Sequence, residues 1–198
     1  MPSVPSAVSF RDATLSDAAA VIPLVQSAYR GEASRAGWTT EADLLGGNRT
    51  DADAVRTAVT AAGSLLMLAC RTGTRPASPA HVAPGAAAGT DELVACCQLT
   101  DVGGGSGYFG MFAVRPDRQG AGIGRAVLAE AERRVVTEWQ CSLLRMTVIR
   151  QRADLIAWYE RRGFALTGIT IPFPYGDSRF GRPKRPDLEF VELAKVLG

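Results

Sequence analysis

Between Val114 and Leu128 the chain reads VRPDRQGAGIGRAVL, which puts Gly120, Gly122 and Gly124 at alternate positions just ahead of an apolar helical run. Glycine has no Cβ, so a ligand can approach the main chain closely there, and the first amides of a helix are unpaired donors at its positive end. Together they suit an anion. Other chemistry-bearing residues are sparse. The single histidine, His81, stands in a Pro/Ala/Gly stretch, which removes the commonest general base and any histidine-rich metal site, so no metal is expected. Cys70, Cys96, Cys97 and Cys141 lie in apolar segments without a CxxC spacing and read as buried, reduced thiols. Cys96 and Cys97 would permit an acyl-cysteine route, but adjacent strand residues face opposite sides of a sheet and no activating base adjoins either.

The elements that must hold the glycine turn follow from periodicity. Val8 to Ala13 reads as a short strand, Ser16 or Asp17 can cap a helix to about Tyr29, and Thr40 to Leu45 and Ala52 to Ala62 read as further helical pieces. SLLMLAC, after Gly63, suits a buried strand. Strands at Glu92 to Thr100 and Tyr108 to Val114, divided by DVGGGSG, extend it into an antiparallel meander. The stretch from Arg71 to Thr90 is short of large apolar residues and rich in Pro, Gly and Ala, which predicts a mobile loop at 71–90. After the glycine turn come a helix to about Trp139, a strand at Leu143 to Ile149 and a helix from Ala153 to Arg162 ended by Gly163. A strand from Phe164, a proline- and glycine-marked loop and a last strand in LEFVELAKV complete a mixed-sheet α/β order.

Length and charge bound what this machinery serves. At 198 residues, with 46% hydrophobic and 21% charged, the chain suits one domain over 1–198. A net charge of +2 does not suggest a nucleic-acid binder. Basic residues are nevertheless concentrated from Arg145 to Arg185, as a solvated face or as a site for a phosphorylated ligand. MPSVPSAVSF lacks the shape of a secretory signal and no apolar run reaches about 18 residues, so a cytoplasmic protein without a membrane partner is expected.

Known phosphate motifs sort the turn further. A P-loop ends in Gly-Lys-Ser/Thr, where this chain has Gly124-Arg125-Ala126. The dinucleotide fingerprint needs a small residue where Arg125 or Val127 stands, and it begins from a parallel strand rather than a hairpin, so a nucleotide-dependent oxidoreductase is the weaker alternative. Gln119-Gly120-Ala121-Gly122-Ile123-Gly124, preceded by Phe112-Ala113-Val114-Arg115-Pro116, instead has the pattern Q/R-x-x-G-x-G/A. With Ala153 to Phe164, which contains Trp158-Tyr159-Glu160-Arg161-Arg162-Gly163-Phe164, it resembles the core of the GCN5-related N-acetyltransferase (GNAT) superfamily. The resemblance covers about Val94 to Phe164.

It implies a mainly antiparallel mixed sheet with splayed central strands, flanked by helices, and acetyl-CoA as acyl donor. Amides from Gly120 to Arg125 would bind the pyrophosphate, and main-chain groups of Phe112, Ala113 and Val114 would bond the pantetheine arm like an added strand. Tyr159 matches the family's general acid. Thr147 stands where some peptide N-terminal acetyltransferases have a Glu base, and Arg152 stands where many relatives have an Asn on pantetheine, so that Arg152 is expected to meet a phosphate. Glu32, Trp38, Glu41 and Tyr175, with Asp43, Phe173, Asp177 and Phe180, are candidates to meet the acceptor. A small amine or amino-acid-like acceptor is expected ahead of a peptide amine, with a homodimer left open. A non-catalytic acyl-CoA-binding or sensor module is the alternative of a different class.

Overall fold

The computed structural model describes residues 8–71 and 91–198, so the loop expected at 71–90 lies, except for Arg71, outside the described residues. Nine strands and four α-helices follow one another in chain order: β1 (Val8–Asp12), α1 (Ala18–Tyr29), β2 (Leu45–Gly46), α2 (Ala52–Thr60), β3 (Ser64–Arg71), β4 (Glu92–Asp101), β5 (Ser106–Val114), α3 (Ile123–Trp139), β6 (Leu143–Ile149), α4 (Ala153–Glu160), β7 (Ala165–Pro172), β8 (Arg182–Pro183) and β9 (Glu189–Val196). Seven strands form one sheet in the order β1-β3-β4-β5-β6-β9-β7, and β2 pairs with β8 separately. Every neighbouring pair in the large sheet is antiparallel except β5 with β6.

β3 reads as an unbroken apolar run because both of its faces are covered. Leu66, Leu68 and Cys70 pack with Val21, Val25 and Val55 of α1 and α2, while Met67 and Ala69 join Val127 and Ala131 of α3 on the opposite face. Cys96 and Cys97 divide between the same two cores, as period-two alternation requires. All four cysteines are free and buried.

The sheet parts at its centre. β5 and β6 pair only from Ser106 with Leu143 to Tyr108 with Arg145, and beyond that point they diverge. A bulge accompanies the split: Gly110 faces Gln98 and Ala113 faces Cys96, so Met111 and Phe112 together stand opposite Cys97. Met111 takes a φ of 43°, left-handed for a residue with a side chain, the kind of local strain that bulges concentrate at functional edges.

Two expected elements differ. Thr40 to Leu45 is not a helix but a single turn, in which Leu44 and Leu45 amides both donate to the Glu41 carbonyl before the chain enters β2. Gly46 and Gly47 follow immediately, and the inward pull on Glu41, Ala42 and Leu45, all buried, sets this path rather than helical propensity. The helix α4 stops at Glu160, short of Arg162, and Gly163 turns the chain at a φ of 88°.

Candidate active site

The glycine turn is braced from both ends. Arg115 donates its amide to the Val94 carbonyl, and its guanidinium holds Asp117 at 2.8 Å and also Glu92 at the start of β4. Gln119 is a strut: its Nε2 donates to the Val114 carbonyl at 3.2 Å, and its Oε1 accepts the Trp38 amide at 3.0 Å. Gly122 is left-handed at φ 83° and immediately precedes α3, whose first internal bond runs from the Ala126 amide to the Gly122 carbonyl at 3.1 Å. The amides of Ile123, Gly124 and Arg125 therefore have no partner within the helix. A Cβ on Gly124 would stand 3.3 Å from Phe112 and 3.5 Å from Trp158, so glycine there lets the helix mouth sit directly against both rings.

A cleft of about 630 Å³ opens over these amides, lined by Gly120, Gly122, Gly124 and Arg125 together with Trp38, Trp158, Arg161 and Arg162. Trp38 stacks on Trp158 at 6.3 Å, and the Arg162 guanidinium lies 3.5 Å from the centre of the Trp158 ring. Burial and the neighbouring charges of Arg161 and Arg125 hold Arg162 below the usual arginine range. Such crowding of cations favours an anion among them. A second cleft of about 560 Å³ lies across the gap between β5 and β6, walled by Tyr108, Met111 and Thr147 and by the rings of Phe173, Phe180 and Phe190. Tyr29, Phe112, Arg152, Leu155 and Tyr159 border both clefts. The two spaces thus meet where the sheet splays.

The family model for the acetyltransferase (GNAT) family matches residues 61–164, which holds the glycine turn, the splayed strands and α4. The chain belongs to the GNAT acetyltransferase family. Solved structures agree on the fold. The ribosomal-protein-S18-alanine N-acetyltransferase of Escherichia coli is similar with a TM-score of 0.62 at 16% identity, covering 97% of this chain and 95% of the other. Spermidine N-acetyltransferase of Vibrio cholerae, in complex with CoA and spermine, gives 0.63 at 12% identity over 96% and 95%. Nourseothricin acetyltransferase gives 0.61 at 17% over 97% and 99%. No curated protein matches the sequence.

In this acetyltransferase the residues expected to meet the coenzyme are distributed unevenly. Gly120, Ala121, Gly122, Gly124, Arg125, Gln119, Phe112 and Val114 border the first cleft, whereas Ile123 turns its side chain into the core. Ala113 departs from expectation. The Arg115 amide bonds to β4, so alternation turns Ala113 toward β4 as well and only Phe112 and Val114 toward the gap. Both of their carbonyls are already engaged, Val114 by Gln119 and Phe112 by the Tyr29 hydroxyl at 2.5 Å. Arg152 is not committed to a phosphate: its guanidinium donates to Glu41 Oε1 at 2.7 Å and to Thr39 Oγ1 at 2.8 Å.

The acceptor candidates scatter further. Trp38 lines the first cleft, not the second. Glu32 is exposed, pairs with Arg35 and borders neither cleft. Tyr175 also lies outside both, its hydroxyl accepting the Leu188 amide at 2.7 Å and donating to the Arg185 carbonyl at 3.1 Å, which ties the late loop together. Glu41 does reach the second cleft, but its carboxylate is held between Arg30 and Arg152. Burial alone would raise its pKa; Arg152, Arg49 and Arg30 outweigh burial and keep it below the usual carboxylate range. It is therefore not free to attract an ammonium. Much of the basic run is paired as well: Arg145 with Glu192, Arg150 with Glu189, Arg179 with Asp177 and Arg185 with Asp187. Sequence reasoning missed Tyr29, Arg30, Arg49 and Tyr108 as cleft residues. Thr147 meets Tyr108 there, their hydroxyls 2.7 Å apart.

Gly122 provides a direct test of the turn. Gly122→Asp puts a carboxylate at the mouth of α3 and a side chain on a left-handed residue. The variant is expected to fold with about 1 kcal/mol less stability and to bind acetyl-CoA at least about tenfold more weakly by calorimetry, because like charges at close range repel by some kcal/mol even at the protein surface. Parent affinity in a folded variant would move the phosphates elsewhere.

Proposed function

We propose that this chain transfers the acetyl group of acetyl-CoA to a primary amine by direct attack within a ternary complex, and that the whole chain acts as one catalytic unit. The observation that carries the reading is the meeting of two chemically different clefts at Tyr159: one faced by helix-mouth amides and arginines, the other by aromatic rings and hydroxyls. The first fits a coenzyme with a pyrophosphate and an extended arm. Three unbonded helix amides, an open Gly120 around which a Cβ would meet nothing within 4 Å, and crowded cations suit the phosphates, and the splay of β5 from β6 leaves a slot for the arm.

When bound, acetyl-CoA supplies an activated thioester. Tyr159 is buried in the aromatic cluster, its ring 5.0 Å from Trp158 and 5.7 Å from Phe164, and its hydroxyl has no hydrogen-bond partner among the described residues. Burial pushes its pKa far above the usual tyrosine range, so the phenol holds its proton at neutral pH. We assign it to donate that proton, or a hydrogen bond, to the departing sulfur as the amine nitrogen bonds to the acyl carbon and the carbon–sulfur bond breaks, the proton shed by the nitrogen passing to water or restoring the phenol. Cys96 and Cys97 do not supply a rival nucleophile. Both are fully buried, and burial pushes the Cys96 thiol up to about 12 and Cys97 higher than its ordinary value.

The structural relatives are named for acetylation of an alanine of a ribosomal protein, of spermidine and of nourseothricin, all amines, and an amine acceptor is proposed here on that footing. The second cleft, about 560 Å³ and walled by aromatic rings, has room for a small amine or amino-acid-like molecule, which is proposed ahead of a peptide amine. Acetyl-CoA is expected to raise the melting temperature, since saturation to 100 times Kd stabilises a native state by about 2.7 kcal/mol, with NAD and ATP giving little. Coenzyme release across a panel of amines then separates an enzyme from a binding module. Binding without release would leave the binding module, and a larger shift with NAD would revive the oxidoreductase.

A further inference from the structure

The charged side chains bordering the second cleft are Arg30, Arg49, Arg152 and Glu41, three cations against one carboxylate. Glu41 is fully used. One oxygen accepts from Arg152 and the other from Arg30. Two positive charges therefore remain uncompensated along one cleft, an arrangement that favours an anion joining them. The excess has definite atoms. The Arg30 side chain is only 2% exposed, and among the described residues its Nε and Nη2 have no hydrogen-bond partner, nor has the buried Arg152 Nε. Arg49 has no carboxylate or hydrogen-bond partner for its guanidinium among the described residues, and rests 4.9 Å above the Tyr29 ring. Tyr29 borders both clefts, so this surplus of donors stands one aromatic ring from the place where they meet.

We propose that the acceptor is an α-amino acid with a large apolar side chain, whose carboxylate is held by Arg49 and Arg30 while its amine points to the junction at Tyr159. This rests on the acetyltransferase reading above and deepens it. A carboxylate accepts the paired N–H donors of a guanidinium, and Phe173, Phe180 and Phe190 provide an apolar wall for the side chain in the same cleft. The surplus positive charge also lowers the pKa of an ammonium brought beside it, favouring the neutral, nucleophilic amine without a dedicated carboxylate base. The same charge repels a polycation, which would meet unpaired arginines where it needs acceptors.

The test compares L-phenylalanine, L-phenylalaninamide, phenethylamine and putrescine as acceptors at saturating acetyl-CoA, reading thiol release and acetylated product. The expected kcat/KM for phenylalanine exceeds that for its amide and for phenethylamine by at least about tenfold, with putrescine lowest. The amide's amine is the less basic of the pair and more readily neutral, so such a preference cannot come from amine reactivity. Arg49→Gln is expected to bring the phenylalanine-to-amide ratio toward one, mainly through KM, and Arg49→Lys to restore part of it. Turnover of the amide, phenethylamine or putrescine as well as phenylalanine would overturn the carboxylate site while leaving acetyl transfer intact. Acetyl-CoA bound without release to any of the four would overturn both this inference and the small-amine reading.

Discussion

Glu41→Gln is expected to destabilise the fold by about 3–5 kcal/mol, the cost typical of removing one partner from a buried ion pair. Glu41 is 5% exposed and its carboxylate sits between Arg30 and Arg152; without its charge both guanidiniums remain buried with no compensation. It also joins distant parts of the chain, since Arg30 ends α1, Glu41 lies in the turn that replaces an expected helix, and Arg152 precedes α4. Urea denaturation measures the loss. If the single variant folds too poorly to measure, the double variant Glu41→Gln/Arg152→Met is expected to fold better than Glu41→Gln alone, because one of the two stranded guanidiniums is removed with the carboxylate's charge. A loss below about 1 kcal/mol would show that the pair behaves like an exposed one. The pH dependence carries a definite sign. A carboxyl whose folded pKa lies below its ordinary value of 4.5 contributes stability that is present above that pH and is lost as pH falls through the depressed folded value. The parent is therefore expected to lose stability more steeply than Glu41→Gln as pH falls below about 4.5.

Tyr159→Phe is expected to fold and to bind acetyl-CoA as the parent does, while turning over its amine about 100-fold more slowly or worse, the range typical of losing general acid-base assistance. The ring stays in contact with Trp158 and Phe164, and only a hydroxyl with no described partner is removed, so packing should hardly change. The comparison needs a full acceptor series and a check that chemistry limits turnover, because slow product release would mask the effect. Parent turnover in the variant would return Tyr159 to a packing role. Equal losses of coenzyme affinity and turnover would make it a positioning residue.

The parts legible from the sequence were those whose physics is local. Alternate glycines ahead of a helix demand left-handed backbone and a bare helix mouth, and Gly120 and Gly122 both adopt a φ of 83°. An apolar run such as SLLMLAC requires cover on both faces wherever it lies, and the meander and the later strand-helix alternation follow from spacing and turn residues. Gln119 shows the boundary. Its place in the motif was plain, yet its amide serves to tie Trp38 to Val114, a contact made across 81 residues of chain.

The second cleft was decided by tertiary structure. Tyr29, Arg30, Arg49 and Tyr108 are ordinary residue types in ordinary surroundings, and no local spacing links them to Tyr159. They meet because β5 bulges at Met111 and parts from β6, opening a gap that α1 and the turn at Glu41 then border. Glu41 was singled out from the sequence as a candidate to attract an ammonium, and packing reversed its meaning by surrounding one carboxylate with three arginines. Sequence therefore determined the fold class and the glycine turn at the mouth of α3, because backbone conformation and hydrophobic period act over a few neighbouring residues. The sign of the charge in the second cleft is a sum over side chains far apart in the chain, and only the folded structure brings that sum together.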